Sequence, residues 1–168
     1  AQDELTPVDL QLAWFAQSQF GGFYAAKDLG FYENAGLDVT IHPVDENLPT
    51  HEMGSQPDGP EFTISWAPRV IELYDADATD LVNIAQPFQR SGTLSLAWLA
   101  SDITGPADFA GKKVGVWDNG LDLEVIAAGR AVGLEPDQHY RRILQDFNTT
   151  AFQNREVDVA EAMIYNEY

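Results

Sequence analysis

The chain contains no cysteine, few basic residues and no long hydrophobic run. The absence of cysteine among its 168 residues excludes disulfides, thiol catalysis and cysteine-ligated metal sites. Only 9 lysines and arginines stand against 27 aspartates and glutamates, which gives a formal net charge of −18. A surface that binds nucleic acid must neutralise phosphates with basic side chains, so we expect no nucleic-acid partner. No apolar stretch approaches the roughly 18 residues that a membrane-spanning helix needs.

The common signatures of enzymes and metal proteins are also missing. The 3 histidines stand in separate predicted elements, without the spacing of a metal site. The chain has no Gly-x-Ser-x-Gly nucleophile elbow and no phosphate-binding loop. Residues 114–120 contain two glycines but lack the third glycine of a dinucleotide-binding fingerprint. We therefore expect no cofactor, no bound metal and no catalytic residue.

The hydrophobic content of 45% is sufficient for a packed core, and the pattern of that content predicts an α/β protein. Helices are predicted at 23–31, 50–55, 67–74 and 122–132. Strands are predicted at 8–13, 39–42, 61–66, 81–86, 91–99, 113–117 and 142–144, with another that ends near 163. Gly30 predicts the end of the first helix, and Pro68 suits the first turn of another. The opening strand-helix-strand order predicts a parallel pair joined by a right-handed crossover.

Three tryptophans, Trp14, Trp66 and Trp117, each end a predicted strand and precede a helix. Open α/β folds bind ligands at the carboxyl ends of their strands, so the three rings are candidates for one binding site. Aromatic faces beside glutamine and asparagine amides suit a flat heterocycle better than a phosphate or a metal ion. The alternative for each ring is a place in the core, because tryptophan is usually largely buried.

Five stretches, in this order, together resemble the solute-binding proteins of ABC importers, in the branch similar to the thiamine-pyrimidine synthesis protein of fungi. They cover nearly the whole chain and are residues 12–39, 64–68, 82–92, 109–117 and 157–168. The resemblance implies a type II periplasmic-binding-protein fold, in which two α/β lobes with mixed sheets close over a ligand cleft. It implies a first lobe at 1–95 and a second at 96–168. Family members are longer, so we expect the second lobe to be incomplete and its uncovered surface to self-associate or bind a complementary fragment.

By motif position the resemblance implies a set of ligand-binding residues. They are Trp14, Gln17, Gln19, Phe20, Trp66, Arg90, Trp117, Asn119, Glu124, Tyr165 and Asn166. The ligand it implies is a small, flat aromatic vitamin or vitamin precursor. Branches for thiamine pyrimidines often carry an Asn/Asp-His pair where this chain has residues 16–20, Ala-Gln-Ser-Gln-Phe, and a related glutamine-containing branch is associated with riboflavin import. A riboflavin-like ligand and the thiamine pyrimidine therefore remain equal alternatives.

The resemblance also implies a non-catalytic protein that delivers its ligand to ABC permease subunits. The expected location is periplasmic or extracellular, with membrane tethering of a precursor lipoprotein as one form of it. Two other functions share the fold: a ligand-sensing regulatory module and a pyrimidine-synthesis enzyme. The enzyme is disfavoured because it requires a histidine in the first-lobe loop and a cysteine-rich segment, which this chain lacks.

Overall fold

The computed structural model describes residues 4–44, 50–78, 80–118 and 120–166. The chain divides into two compact units, Ala1–Ile84 and Ala85–Tyr168. The first unit contains a three-stranded sheet and the second a four-stranded sheet, and helices connect the strands of both. The predicted α/β class is therefore confirmed.

The sheet of the first unit is parallel and has the strand order β2-β1-β3. Its strands are β1 (Thr6–Gln11), β2 (Leu37–His42) and β3 (Phe62–Thr63). Val8 lies opposite Val39, which confirms the parallel pair predicted from the opening strand-helix-strand pattern. Both of these valines are buried together with Leu10. The helices are α1 (Gly21–Asp28), α2 (Phe31–Asn34), α3 (Thr50–Gly54) and α4 (Ala67–Asp75).

Gly30 divides the predicted helix 23–31 into α1 and the short α2. Its φ of 71° lies in the left-handed region, which a residue without a β-carbon adopts at little cost. The amide of Gly30 donates to the Lys27 carbonyl at 3.0 Å and closes the end of α1. The helix stop is therefore confirmed at this glycine, and the chain begins a new helical turn directly after it.

The sheet of the second unit is mixed and has the order β4-β7-β5-β6. Its strands are β4 (Thr93–Ala97), β5 (Lys113–Val116), β6 (Arg141–Leu144) and β7 (Val159–Met163). β4 runs antiparallel to β7, whereas β5 is parallel to both of its neighbours. The helices are α5 (Leu123–Ala131) and α6 (Thr150–Gln153). The buried core consists of Phe109, Val114, Val116, Val125, Tyr140 and Val159.

The predicted strand at 81–86 is wrong. These residues form neither helix nor strand, and Val82 and Ile84 are 76% and 71% exposed. A β-strand needs a neighbour for its backbone hydrogen bonds, and no described strand pairs with this stretch. The alternating apolar residues of this stretch therefore form no β-strand, because no described strand lies beside them.

β4 belongs to the sheet of the second unit. It pairs with β7 along its whole length, from Thr93 opposite Met163 to Ala97 opposite Val159. This ladder places the residues around β4 in the second unit. The predicted strand 91–99 is correspondingly shortened to its paired part.

Candidate functional site

The carboxyl end of β1 leads into an aromatic cluster in the first unit. Leu12 and Ala13 are buried, and the next turn brings Phe20 against them with 2% of its surface exposed. Trp14 and Trp66 pack against this cluster and are only partly buried. The structure therefore brings together three of the predicted ligand-binding residues, and two of them keep part of their surface accessible.

Gln11 holds the backbone that carries Trp14 in place. Its side chain is 3% exposed, and its Nε2 donates to the Leu12 carbonyl at 3.1 Å and to the Pro43 carbonyl at 2.7 Å. The Leu12 amide also donates to the His42 carbonyl at 2.8 Å. These bonds join the chain after β1 to the chain after β2, so the start of the loop has a defined position.

The two predicted glutamines of this loop lie side by side. Nε2 of Gln19 donates to Oε1 of Gln17 at 2.9 Å, which orients both amides. Oε1 of Gln19 is buried and has no hydrogen-bond partner among the described residues. An acceptor without a partner beside an aromatic cluster is available to a ligand donor.

Two further polar groups of the first unit were missed by the sequence interpretation. His51, in α3, is 6% exposed and its Nδ1 has no partner in the described part of the chain, as is the case for the buried Oγ of Ser65. Burial, reinforced by the nearby positive charge of Arg69, lowers the pKa of His51 below its usual value, which favours the neutral ring. No motif marks these two residues, because their burial depends on how α3 packs near β3.

Two threonines hold α3 near the end of β3. The Thr50 hydroxyl donates to the Ile64 carbonyl at 3.1 Å, and the Thr63 hydroxyl donates to the Thr50 carbonyl at 2.9 Å. Ile64 also packs against the aromatic cluster around Phe20. The unsatisfied groups of His51 and Ser65 are therefore attached to backbone whose position is defined by these contacts.

Trp117 of the second unit packs as a core residue. Its ring is stacked on Phe147, with centroids 5.1 Å apart, and its Nε1 donates to the Asp146 carbonyl at 3.3 Å. Only 1% of the residue is exposed. This is the alternative that the sequence left open for each tryptophan, so any contact of this ring with a ligand remains a prediction.

Two predicted residues of the second unit lie against the chain that precedes β4. Oε2 of Glu124, in the first turn of α5, accepts a hydrogen bond from the Ser91 hydroxyl at 2.7 Å. The ring of Tyr165 lies 6.2 Å from that of Phe88, and a β-carbon added at Gly92 would stand 2.7 Å from it. Gly92 therefore permits Tyr165 to lie close to the backbone.

The other predicted residues are less informative. Arg90 is exposed in a stretch without helix or strand. The Asn166 amide donates to the Met163 carbonyl at 3.1 Å in the turn after β7. Asn119 lies outside the described residues.

Glu161, which the sequence interpretation did not select, is a buried acid with a raised pKa. The residue lies in β7, is 1% exposed, and accepts a hydrogen bond from the Trp117 backbone amide at 2.6 Å. Burial raises its pKa to about 8, and the neighbouring carboxylates of Asp122 and Glu124 act in the same direction. The sequence did not predict the burial of Glu161, because acidic side chains are rarely fully buried and an acid within a strand is normally expected to face solvent.

The described residues contain no group of three or more histidines, aspartates or glutamates arranged to hold a metal ion. Within the same ranges, no helix combines the length and the apolar character required to cross a membrane.

A family model for NMT1/THI5-like proteins matches residues 17–168. A comparison with curated protein sequences finds no match. Among solved structures, the periplasmic aliphatic sulphonate binding protein SsuA from Escherichia coli superimposes with a TM-score of 0.58 and is 16% identical. That match covers 95% of this chain and 51% of SsuA, so the chain spans about half the length of SsuA.

The L-cystine solute receptor of Neisseria gonorrhoeae, in its unliganded open conformation, also matches, with 14% identity and a TM-score of 0.42. That match covers 95% of this chain and 66% of the receptor. The similarity to SsuA confirms the predicted periplasmic-binding-protein fold, and the family model matches most of the chain. The chain therefore belongs to the NMT1/THI5-like family, as its five sequence stretches predict.

Proposed function

We propose that this chain belongs to an extracytoplasmic solute-binding protein of an ABC importer. In this proposal it captures a flat aromatic vitamin or vitamin precursor and performs no catalysis. Family membership and the binding-protein fold support the general role. Delivery to permease subunits, and a location in the periplasm or outside the cell, follow from that role.

The observation that carries the choice of ligand is the aromatic cluster of the first unit. Trp14 and Trp66 are partly buried rings fixed near the carboxyl end of β1. The same unit holds buried polar atoms on Gln19, His51 and Ser65 that have no hydrogen-bond partner among the residues the structure describes. Stacking on aromatic faces together with a few fixed hydrogen bonds is how proteins recognise planar heterocycles. A riboflavin-like ring system and the aminopyrimidine precursor of thiamine both have this chemistry.

Tryptophan fluorescence of the purified chain, titrated with riboflavin and separately with the aminopyrimidine, tests the proposal. We expect a saturable change with one of the two, after correction for the absorbance of the ligand. Trp14→Ala should weaken that binding about tenfold, the equivalent of one lost aromatic contact. Trp98→Phe is the matched control, because Trp98 stacks on Phe152 at 4.8 Å within the second unit.

The far-UV circular dichroism of each variant separates a binding defect from misfolding. A Trp14→Ala variant that folds normally and binds as tightly as the Trp98→Phe control would contradict the aromatic site. The absence of any saturable response of the wild-type chain to either compound would contradict the proposed ligand class.

A further inference from the structure

The sheet of the second unit opens between β5 and β7 toward their carboxyl ends. The two strands pair at Val114 and Val159, near the beginning of both. Further along, the Trp117 amide donates to the Glu161 side chain at 2.6 Å instead of to a strand carbonyl. A buried carboxyl group therefore holds the backbone that leaves β5.

The side chain of Gln145 fills the space between these two strands. Its Nε2 donates to the Glu161 carbonyl at 2.8 Å, and its Oε1 accepts from the Glu161 amide at 3.2 Å. It reaches them over Gly115, where an added β-carbon would come within 2.2 Å of Oε1 of Gln145. The glycine and the glutamine together fix the backbone of Glu161, and so the direction of its carboxyl group.

The surroundings of the Glu161 carboxyl group disfavour a negative charge. Oε1 is buried and has no hydrogen-bond partner among the described residues. The charged groups that face it are Asp122 and Glu124, at the beginning of α5, and both are acidic. Arg142, the basic residue next to Asp122, is bound to that aspartate at 2.7 Å and to Asp137 at 2.8 Å.

Within the described part of the chain, the contacts that Glu161 receives from the neighbouring strands come from uncharged groups. β4 places the neutral Ser95 opposite Glu161, and the contacts from β5 and from the end of β6 are made by an amide N–H and a glutamine. The pKa of Glu161 is accordingly raised to about 8, chiefly by burial. At neutral pH the carboxyl group is therefore mostly protonated, with the Trp117 amide bound to Oε2.

We propose that Glu161 is a positioning residue whose protonated carboxyl group holds the segment after β5, and that loss of this proton displaces the segment. The Trp117 amide by itself would bind a carboxylate more strongly and lowers the pKa of Glu161, but burial and the charges of Asp122 and Glu124 outweigh this bond. A carboxylate in this place would require water at Oε1 and would repel Asp122 and Glu124 across a buried space. Both effects move the first turn of α5 and the backbone around Trp117. The consequence for ligand affinity rests on the proposed function, because Trp117 and Glu124 are predicted ligand-binding residues.

The first experiment follows the tryptophan emission of the ligand-free chain from about pH 6 to about pH 9.5, a range that brackets the expected transition. We expect the wild-type chain to show a transition with a midpoint at about pH 8. Glu161→Gln keeps an acceptor for the Trp117 amide but carries no proton to lose, so its emission should stay constant. Glu156→Gln, which removes an exposed carboxylate shortly before β7, should behave like the wild-type chain.

The second experiment measures the affinity for riboflavin and for the aminopyrimidine over the same range. Wild-type affinity should fall by about tenfold for each pH unit above the midpoint, and the Glu161→Gln variant should bind with nearly constant affinity. A wild-type emission without a transition, or a transition that persists in Glu161→Gln, overturns the positioning role. The expected emission transition without binding of either compound at any pH supports the role of Glu161 and overturns the proposed ligand class.

Discussion

At the scale of single residues, a polar atom without a partner weakens the folded state unless a ligand supplies one. The buried Oγ of Ser65 has no partner in the described part of the chain, whereas the hydroxyl of Ser55 donates to the His51 carbonyl at 3.1 Å. Ser65→Ala should therefore stabilise the ligand-free chain by about 1 kcal/mol and lower its ligand affinity several-fold. Ser55→Ala is the control and should be neutral or destabilising. Urea unfolding curves of the two variants measure these changes in stability. A destabilised Ser65→Ala protein would contradict the absence of a hydrogen-bond partner for this hydroxyl.

Replacing glycine by alanine should have opposite effects on stability at positions 115 and 22. A β-carbon at residue 115 would come within 3.1 Å of the Val159 carbonyl oxygen as well as meeting the Gln145 side chain. Gly115→Ala should therefore destabilise the chain by about 1–3 kcal/mol, because the backbone must move. At Gly22, in α1, an added β-carbon meets nothing within 4 Å, and alanine favours the helix.

Gly22→Ala is thus the matched control for Gly115→Ala and should stabilise the chain by about 0.5–1 kcal/mol. The free energies of unfolding of both variants, measured with urea, provide the comparison. Equal changes in the free energy of unfolding would contradict the close approach of Gln145 and the Val159 carbonyl to Gly115.

At the scale of elements, one carboxylate organises the turn before β5. Oδ2 of Asp108 accepts hydrogen bonds from the Thr104 amide at 2.8 Å, the Thr104 hydroxyl at 2.9 Å and the Gly105 amide at 3.2 Å. These bonds lower the pKa of Asp108 below its usual value of 3.8, and the bond from the Thr104 amide has the largest effect. They fix the start of the 3₁₀ turn Pro106–Phe109, which carries the buried Phe109.

Asp108→Ala should lower the melting temperature, and Asp108→Asn should lower it less, because asparagine keeps an acceptor oxygen. The folded state favours the charged form of Asp108. The stabilising effect is therefore present above the unfolded pKa, near 3.8, and is lost as the pH falls through the lower folded pKa. The difference in melting temperature between wild type and Asp108→Ala should accordingly shrink at acidic pH. A constant difference would indicate that the charge has no part in the effect.

The helices and strands show which local signals were reliable. Pro68 correctly marked the first turn of α4, because proline needs no amide partner there and its φ already suits a helix. Residues 81–86 show the opposite case, since a strand-like pattern without a neighbouring strand forms no strand. Helix signals of this kind lie in the residues themselves, whereas a strand depends on a partner that is distant in sequence.

At the scale of the whole molecule, each sheet is built within one unit, and residues 80–92, between the two sheets in the chain, form neither helix nor strand. Arg90 is exposed in the stretch between α4 and β4, where no helix or strand protects the backbone. Trypsin should therefore cut first after Arg90. This cut breaks no strand pairing, because β1 to β3 precede it and β4 to β7 follow it.

Electrophoresis and mass spectrometry of a timed digest identify the first cut. The far-UV circular dichroism should be largely kept after it, and Arg90→Gln should leave the full-length chain intact for longer. Early cleavage after Lys113 or Arg142 instead would contradict the pairing of β5 with β6 in the second unit, because both residues lie in that ladder.

The sequence alone determined the features that depend on neighbouring residues. Local periodicity and the backbone preferences of glycine and proline were sufficient for the β1-helix-β2 unit, for the helix stop at Gly30 and for the start of α4. The five stretches were sufficient for the family. The places of Trp14, Trp66 and Trp117 at predicted strand ends made them candidates for one site, and Phe20 was added only by the family resemblance.

Only the tertiary structure decided which side chains are buried and which polar groups have partners. Trp117 and Trp14 occupy similar positions in the sequence, yet one is buried by Phe147 and the other keeps part of its surface exposed. The lowered pKa of His51 and the raised pKa of Glu161 depend on contacts with distant residues that remove water from both groups. Desolvation of a side chain depends on the residues that surround it in the folded protein, so a local sequence pattern does not predict it.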